Sequence, residues 1–183
     1  DDLLVVAQRQ YDLPGFEIVV AQARQEEIVT RLAAVGAVVL EDDDAYQARR
    51  IELGLPLPGA ELTGEYSPLE AGLTWACAEN KGCYTGQEII ARQITYDKVT
   101  RALVGIVGDA PLSPGAALTA EGRDVGTITS TAYSPLLGSP VALAIVKRPN
   151  DVPGTELQSE GKSVRVAALP FAAPPSAGGG QGC

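Results

Sequence analysis

The spacing of apolar positions changes near Arg101, and the two stretches on either side predict different architectures. Leu3 to Gln10 and Phe16 to Ala21 are short apolar runs separated by Leu13-Pro14-Gly15, which predicts two strands joined by a turn. Ile28, Leu32 and Val35 then recur at helical spacing between Arg24 and Val35, with Gly36 as the stop. Ala37 to Leu40 predicts a short strand. The acidic run Glu41 to Asp44 caps a helix from Ala45 to about Leu53, with its charge at the positive end of the helix dipole. Strand, strand, helix, strand and helix in that order predict an α+β layer, an antiparallel sheet with helices on one face.

Leu55 to Gly64 is a connection rich in Pro and Gly. Ser67-Pro68-Leu69-Glu70 follows: a capping serine, a proline at the first helical position and a glutamate at the third, so a short helix is expected, ended by Gly72. From Arg101 onward, Ala102–Val107, Val125–Thr131, Val141–Val146 and Val164–Ala168 are runs rich in β-branched residues. Turns such as Glu121-Gly122-Arg123 and Glu160-Gly161-Lys162 punctuate them. Short strands so spaced predict a small barrel or sandwich. Pro174 to Gly182, rich in Pro, Ser and Gly, predicts a disordered tail. The expected division is thus 1–98, 99–171 and a tail 172–183.

Composition narrows the functions. Of 183 residues, 45% are apolar and 20% charged, the composition of a globular chain. A formal charge of −9, with no cluster of five basic residues, argues against nucleic acid or an anionic membrane as the direct partner. No apolar run approaches the length of about 18 residues that a membrane helix needs. Cys77, Cys83 and Cys183 do not make a disulfide framework, so a reducing cytoplasm or an organelle matrix is the expected compartment. The chain has no histidine, which removes Ser-His-Asp and Cys-His chemistry and histidine-ligated zinc. It also has no methionine and begins at Asp1 directly before an apolar run, so a piece lacking its N-terminal part is expected.

The candidate chemistry lies at Lys81-Gly82-Cys83-Tyr84-Thr85-Gly86-Gln87-Glu88. Thr85 to Glu88 fits a capping box, in which the Thr85 hydroxyl accepts from the Glu88 amide and the Glu88 carboxylate reaches back. Cys83 then sits just before a helix N-terminus and two residues from Lys81, and both favour the thiolate. Gly82 and Gly86 let the backbone bend or approach a ligand closely. The alternatives stay open: Cys83 as a small buried hydrophobe and Glu88 as a structural cap. Cys77 and Cys83 alone cannot fill a tetrahedral zinc site, so no metal site is expected within the chain.

The string KGCYTGQEIIAR at Lys81–Arg92 resembles the signature of the YgfZ family, folate-binding relatives of the glycine-cleavage T-protein (aminomethyltransferase). The resemblance extends back through Leu62–Leu73 and forward through Ile94–Val99. Arg50-Ile51-Glu52-Leu53-Gly54 resembles the Arg-x-Glu-x-Gly segment of the wider superfamily. It implies that 1–98 is part of an aminomethyltransferase-like folate-binding domain and 99–171 its C-terminal β-barrel. The cofactor implied is tetrahydrofolate or a one-carbon-substituted folate. Glu52 would accept two hydrogen bonds from the pterin, against a bland reading as a solvated helix residue paired with Arg49. Lys81 and Arg92 would meet the folate tail or face solvent, and Tyr84 would stack on a ring or pack in the core. Gly82, Gly86 and Gln87 complete the implied binding loop, with Cys83 as the reactive or ligating thiol. The function implied is support of the assembly or repair of iron–sulfur enzymes, radical tRNA-modifying enzymes among the clients. The alternatives are an aminomethyltransferase of glycine cleavage and a non-enzymatic client-docking factor.

Overall fold

The computed structural model describes residues 3–8, 15–78 and 81–171. The expected turn at Leu13-Pro14, the tail 172–183 and Cys183 lie outside the described residues. Among the described residues the chain divides into two compact units, one up to Tyr46 and one from Gln47 to Phe171. The second holds the candidate residues.

In the first unit β1 (Leu3–Gln8) and β2 (Gly15–Val20) pair antiparallel, and α1 spans Gln25–Ala34. Gly36, at φ +93°, ends α1 as expected: its amide bonds to Ala33 and the Ala37 amide to Leu32, which satisfies two orphan carbonyls. The expected strand at Ala37–Leu40 does not form. It pairs with no described strand, and Val38 is 92% exposed, because a short apolar run is a strand only where a ladder partner exists.

α2 spans Asp43–Leu53. The Asp42 carboxylate caps it, accepting from the amides of Asp44 (3.0 Å) and Ala45 (3.3 Å). At its far end Gly54, at φ +74°, repeats the device of Gly36: Gly54 bonds to Ile51 and Leu55 to Arg50. At Ser67–Glu70 the reciprocal capping box is present, Ser67 N–H to the Glu70 carboxylate (3.0 Å) and Glu70 N–H to the Ser67 hydroxyl (3.3 Å). The expected helix is a turn only.

The remainder is a closed six-stranded antiparallel barrel: β3 (Arg101–Gly108), β4 (Ala117–Ala120), β5 (Arg123–Ser134), β6 (Ser139–Lys147), β7 (Glu156–Ser159) and β8 (Lys162–Ala167), in the order β3-β6-β5-β4-β7-β8. The fold is therefore α+β, with few helices and the expected barrel. Glu121-Gly122 and Glu160-Gly161 all have φ between 50° and 76°, so both hairpins turn through two left-handed residues, the type I′ geometry that matches strand twist. The β4 and β7 strands escaped the sequence reading because each has four residues, too few for a periodic signal.

Ala142, Ala144 and Val146 of β6 face the barrel interior, with Ile106, Leu118, Ile128 and Leu157. Val141 and Leu143 face outward, under Ile51 of α2, Leu169 and Phe171. The unbroken apolar run of β6 thus reports a strand covered on both faces. Among the described residues no helix is long and apolar enough to cross a membrane.

Candidate functional site

Two arrangements contain the residues singled out from the sequence, and they differ in burial. The first is the strap formed by α2 and the connection after it. Arg50 and Glu52 are both buried, although charged, so each must find partners. Arg50 Nη2 donates to Ser130 Oγ (2.8 Å), Nη1 donates to the Leu55 carbonyl (3.2 Å), and Nη1 lies 3.6 Å from Glu61 Oε2. Glu61 is fully buried. Its Oε1 accepts from Thr129 Oγ1 and Ser130 Oγ, both at 2.6 Å, and its Oε2 from the Leu57 amide at 2.9 Å. Thr129 and Ser130 are consecutive, and residues so placed normally face opposite sides of a sheet. The register of β5 against β6 shifts between Ile128 and Ser130, and that bulge lets both hydroxyls reach one carboxylate.

Glu52 Oε1 accepts from Ser134 Oγ (2.6 Å), which in turn accepts from the Leu137 amide (3.0 Å). Its Oε2 takes a long bond from Arg49 Nη1 (3.4 Å), and the Glu52 carbonyl accepts from Phe171 N–H (2.7 Å). The Arg49 partner is the one the bland reading expects, but that reading puts Glu52 in solvent, whereas the residue is buried under the serine and backbone bonds of the barrel side. Ser134 and the whole Glu61 cluster were not found from sequence. A carboxylate in a Pro-Gly connection gives no local hint of partners 68 and 69 residues away.

The second arrangement is the cysteine loop. α3 spans Gln87–Thr95, and its first turn has Gly86 before it at φ +88° with no side-chain cap. The expected capping box is therefore absent: the helix starts later than Thr85 requires, and Glu88 pairs outward with Arg92 (3.1 Å). Cys83 is exposed and Cys77 half-buried. Lys81 Nζ lies 4.7 Å from the centroid of the Tyr84 ring, so the ammonium is stacked on Tyr84. The Tyr84 hydroxyl donates to the Ala78 carbonyl (3.1 Å), closing the loop around Cys83. Lys81, Gly82, Gly86 and Arg92 are exposed, and Gln87 is half-buried. No hydrogen bond or ion pair among the described residues joins Glu52 to this loop, and no group of three or more Cys, Asp and Glu side chains among them is placed to hold a metal ion.

The second unit is thus a closed antiparallel barrel clamped by a buried Arg–Glu strap. Residues 101–175 match the family model described as the glycine cleavage T-protein C-terminal barrel domain. An aminomethyltransferase of Streptomyces avermitilis is 32% identical over 86% of this chain and 46% of its own length. The mitochondrial aminomethyltransferase of Gallus gallus is 34% identical over 85% of the chain and 41% of its own. A chloroplastic protein of Arabidopsis thaliana, proposed to be a transferase, is 40% identical over 63% of the chain and 27% of its own. The crystal structure of the glycine cleavage system aminomethyltransferase T from Bartonella henselae superimposes with a TM-score of 0.81 at 27% identity, over 95% of this chain and 51% of that one. The chain belongs to the glycine-cleavage T-protein superfamily. It spans about half the length of these relatives, or less.

Proposed function

We propose that this chain is the C-terminal portion of a folate-dependent one-carbon transferase of the aminomethyltransferase type. The observation that carries this reading is its similarity to named aminomethyltransferases across both the strap and the barrel. The chemistry of Glu52 is compatible with it. A carboxylate offers about four lone-pair directions, and Glu52 uses one on each oxygen, for Ser134 and Arg49. One direction per oxygen is left for the paired N–H donors of a pterin ring. Bound tetrahydrofolate would supply the nitrogen that accepts the one-carbon unit. Glu52 would hold the pterin, with Ser134 fixing the carboxylate from the barrel side, while Lys81 and Arg92 carry positive charge suited to the folate tail.

The test is calorimetric titration of tetrahydrofolate into a protein carrying this chain, beside its Glu52→Gln variant, followed by an ammonia-release assay with an aminomethyl-lipoyl carrier. Saturable binding weakened by Glu52→Gln, together with ammonia release, supports the proposal. Binding indifferent to Glu52 removes it.

One observation favours a second reading. Cys83 is exposed on a loop closed by Tyr84 and stacked Lys81, which suits a thiol that meets a partner. In that reading the protein binds folate, resides in the cytoplasm or an organelle matrix, and supports iron–sulfur client enzymes through Cys83, radical tRNA-modifying enzymes among them. Folate binding without ammonia release, together with loss of client activity in a Cys83→Ser strain, would select it. Full client activity in that strain would exclude it.

A further inference from the structure

Two serines of β5 each donate to a carboxylate of the strap, and they leave the two carboxylates in different states. Ser130 and Ser134 share a strand face with Ala132, which packs against the Ile51 cluster. Ser130 accepts from Arg50 Nη2 (2.8 Å) and donates to Glu61 Oε1 (2.6 Å). Ser134 accepts from the Leu137 amide (3.0 Å) and donates to Glu52 Oε1 (2.6 Å). The direction of each bond is fixed, because a guanidinium or an amide N–H can only donate and an ionised carboxylate can only accept.

Glu61 is closed by its other partners, the Thr129 hydroxyl, the Leu57 amide and the Arg50 guanidinium. Glu52 is not. Among the described residues Ser134 is the one short partner of its carboxylate, and the Arg49 bond to the other oxygen is long at 3.4 Å. Ser134 is itself held from several sides. Pro135 follows it and restricts it to extended backbone. Its carbonyl accepts from the Gly138 amide (2.8 Å), it pairs with Ser139 across the ladder, and it is fully buried. A hydroxyl so fixed sets the direction of the carboxylate to which it donates. The Glu52 side chain keeps only 6% of its surface exposed, so a ligand meets a carboxylate already aimed.

We propose that Ser134 is a positioning residue of a folate site. By donating to Oε1 it turns the Glu52 carboxylate so that a lone pair on each oxygen meets the ring N–H and exocyclic amine of a pterin. The inference rests on the folate-dependent reading of this chain, and it extends the site to the β5–β6 turn that holds the serine. Two parallel hydrogen bonds need both oxygens in the plane of the donors, so a small rotation of the carboxylate weakens both. Without Ser134 the remaining side-chain partner is Arg49, which is 33% exposed and leaves the carboxylate free to turn with it.

The test is a double-mutant cycle read by calorimetric titration of tetrahydrofolate into a protein carrying this chain, as Ser134→Ala, as Glu52→Gln and as both together. Ser134→Ala should weaken binding about tenfold, the effect of losing one hydrogen bond to a charged group. In the Glu52→Gln background the same substitution should have no further effect. A serine that merely supports the barrel would weaken both backgrounds by the same factor, and that additive result overturns the proposal. Affinity that falls in Glu52→Gln and is unchanged in Ser134→Ala overturns this inference alone. Affinity indifferent to Glu52→Gln removes the folate reading, and the inference with it. Should Ser134→Ala fail to fold, Ser134→Cys takes its place in the cycle, since a thiol of similar size is a much weaker donor. Its loss should be smaller and should again vanish in the Glu52→Gln background.

Discussion

Ser67-Pro68-Leu69-Glu70 and Thr85-Gly86-Gln87-Glu88 spell the same pattern in one compact unit, a hydroxyl followed three residues later by a glutamate, and only the first closes its box. The difference lies in what surrounds them. Glu70 is buried beside Arg101, with Leu69 and Ala71 also buried around it, so its carboxylate is held over the Ser67 amide. Glu88 is exposed and turns outward to Arg92, while the left-handed Gly86 separates Thr85 from the first helical turn. The same contrast holds on the larger scale. The strap from Gln47 to Gly72 is tied to the barrel by buried hydrogen bonds from Arg50, Glu52 and Glu61. The cysteine loop and α3 bury no residue fully among those described. Short-range sequence pattern proposes a cap; burial decides whether it closes.

The sharpest way to break this contrast is to cut the strap. Glu61→Ala leaves Arg50 charged and buried without its carboxylate, and removing one member of such a pair costs about 3–5 kcal/mol. Denaturant unfolding of the barrel should show that loss. The Glu61→Leu, Arg50→Met double variant should recover much of it, because a buried pair replaced by apolar groups of similar volume is often neutral. If Glu61→Ala is silent, the strap is not what distinguishes the two regions.

Gly105→Ala probes the same contact from the barrel side. A Cβ at residue 105 would sit 2.5 Å from the Phe171 ring, and Phe171 N–H is bonded to the Glu52 carbonyl at the end of α2. Overpacking of this kind costs about 1–3 kcal/mol. The expected outcome is a lower melting temperature that the Gly105→Ala, Phe171→Leu double variant partly restores. Gly86→Ala, at a left-handed glycine with open space around it, should show only local backbone strain of about 1–2 kcal/mol.

The barrel was legible because its signals are local. Apolar runs such as Val141–Val146 and the glycine turns at Gly122 and Gly161 announce strands and hairpins without reference to the rest of the chain. The same holds for Gly36 as a helix stop and for the acidic cap of α2. The buried cluster around Glu61 was not legible, because its partners come from a bulge in β5 that only the register with β6 creates. Ala37–Leu40 failed for the same reason, since an apolar run cannot state whether a neighbour will pair with it. At the candidate site, the sequence located Glu52 and its Arg49 partner, and left Ser134 hidden until the barrel closed.

The two glutamates of the boxes give the smallest and most discriminating effects. Glu70→Ala removes the acceptor for the Ser67 amide and the carboxylate facing Arg101, and loss of a cap costs about 1 kcal/mol. Glu88→Ala removes an exposed i,i+4 pair with Arg92, worth less than about 0.5 kcal/mol. Salt separates the two further. Screening should erase the small effect at Glu88, whereas most of the effect at Glu70 should persist, because its bond to the Ser67 amide is half-buried. Paired denaturation curves at low and high salt give both numbers. Equal losses at the two positions would mean that Glu88 does reach back to its own helix start in solution, so that the cysteine loop is as firmly capped as the strap.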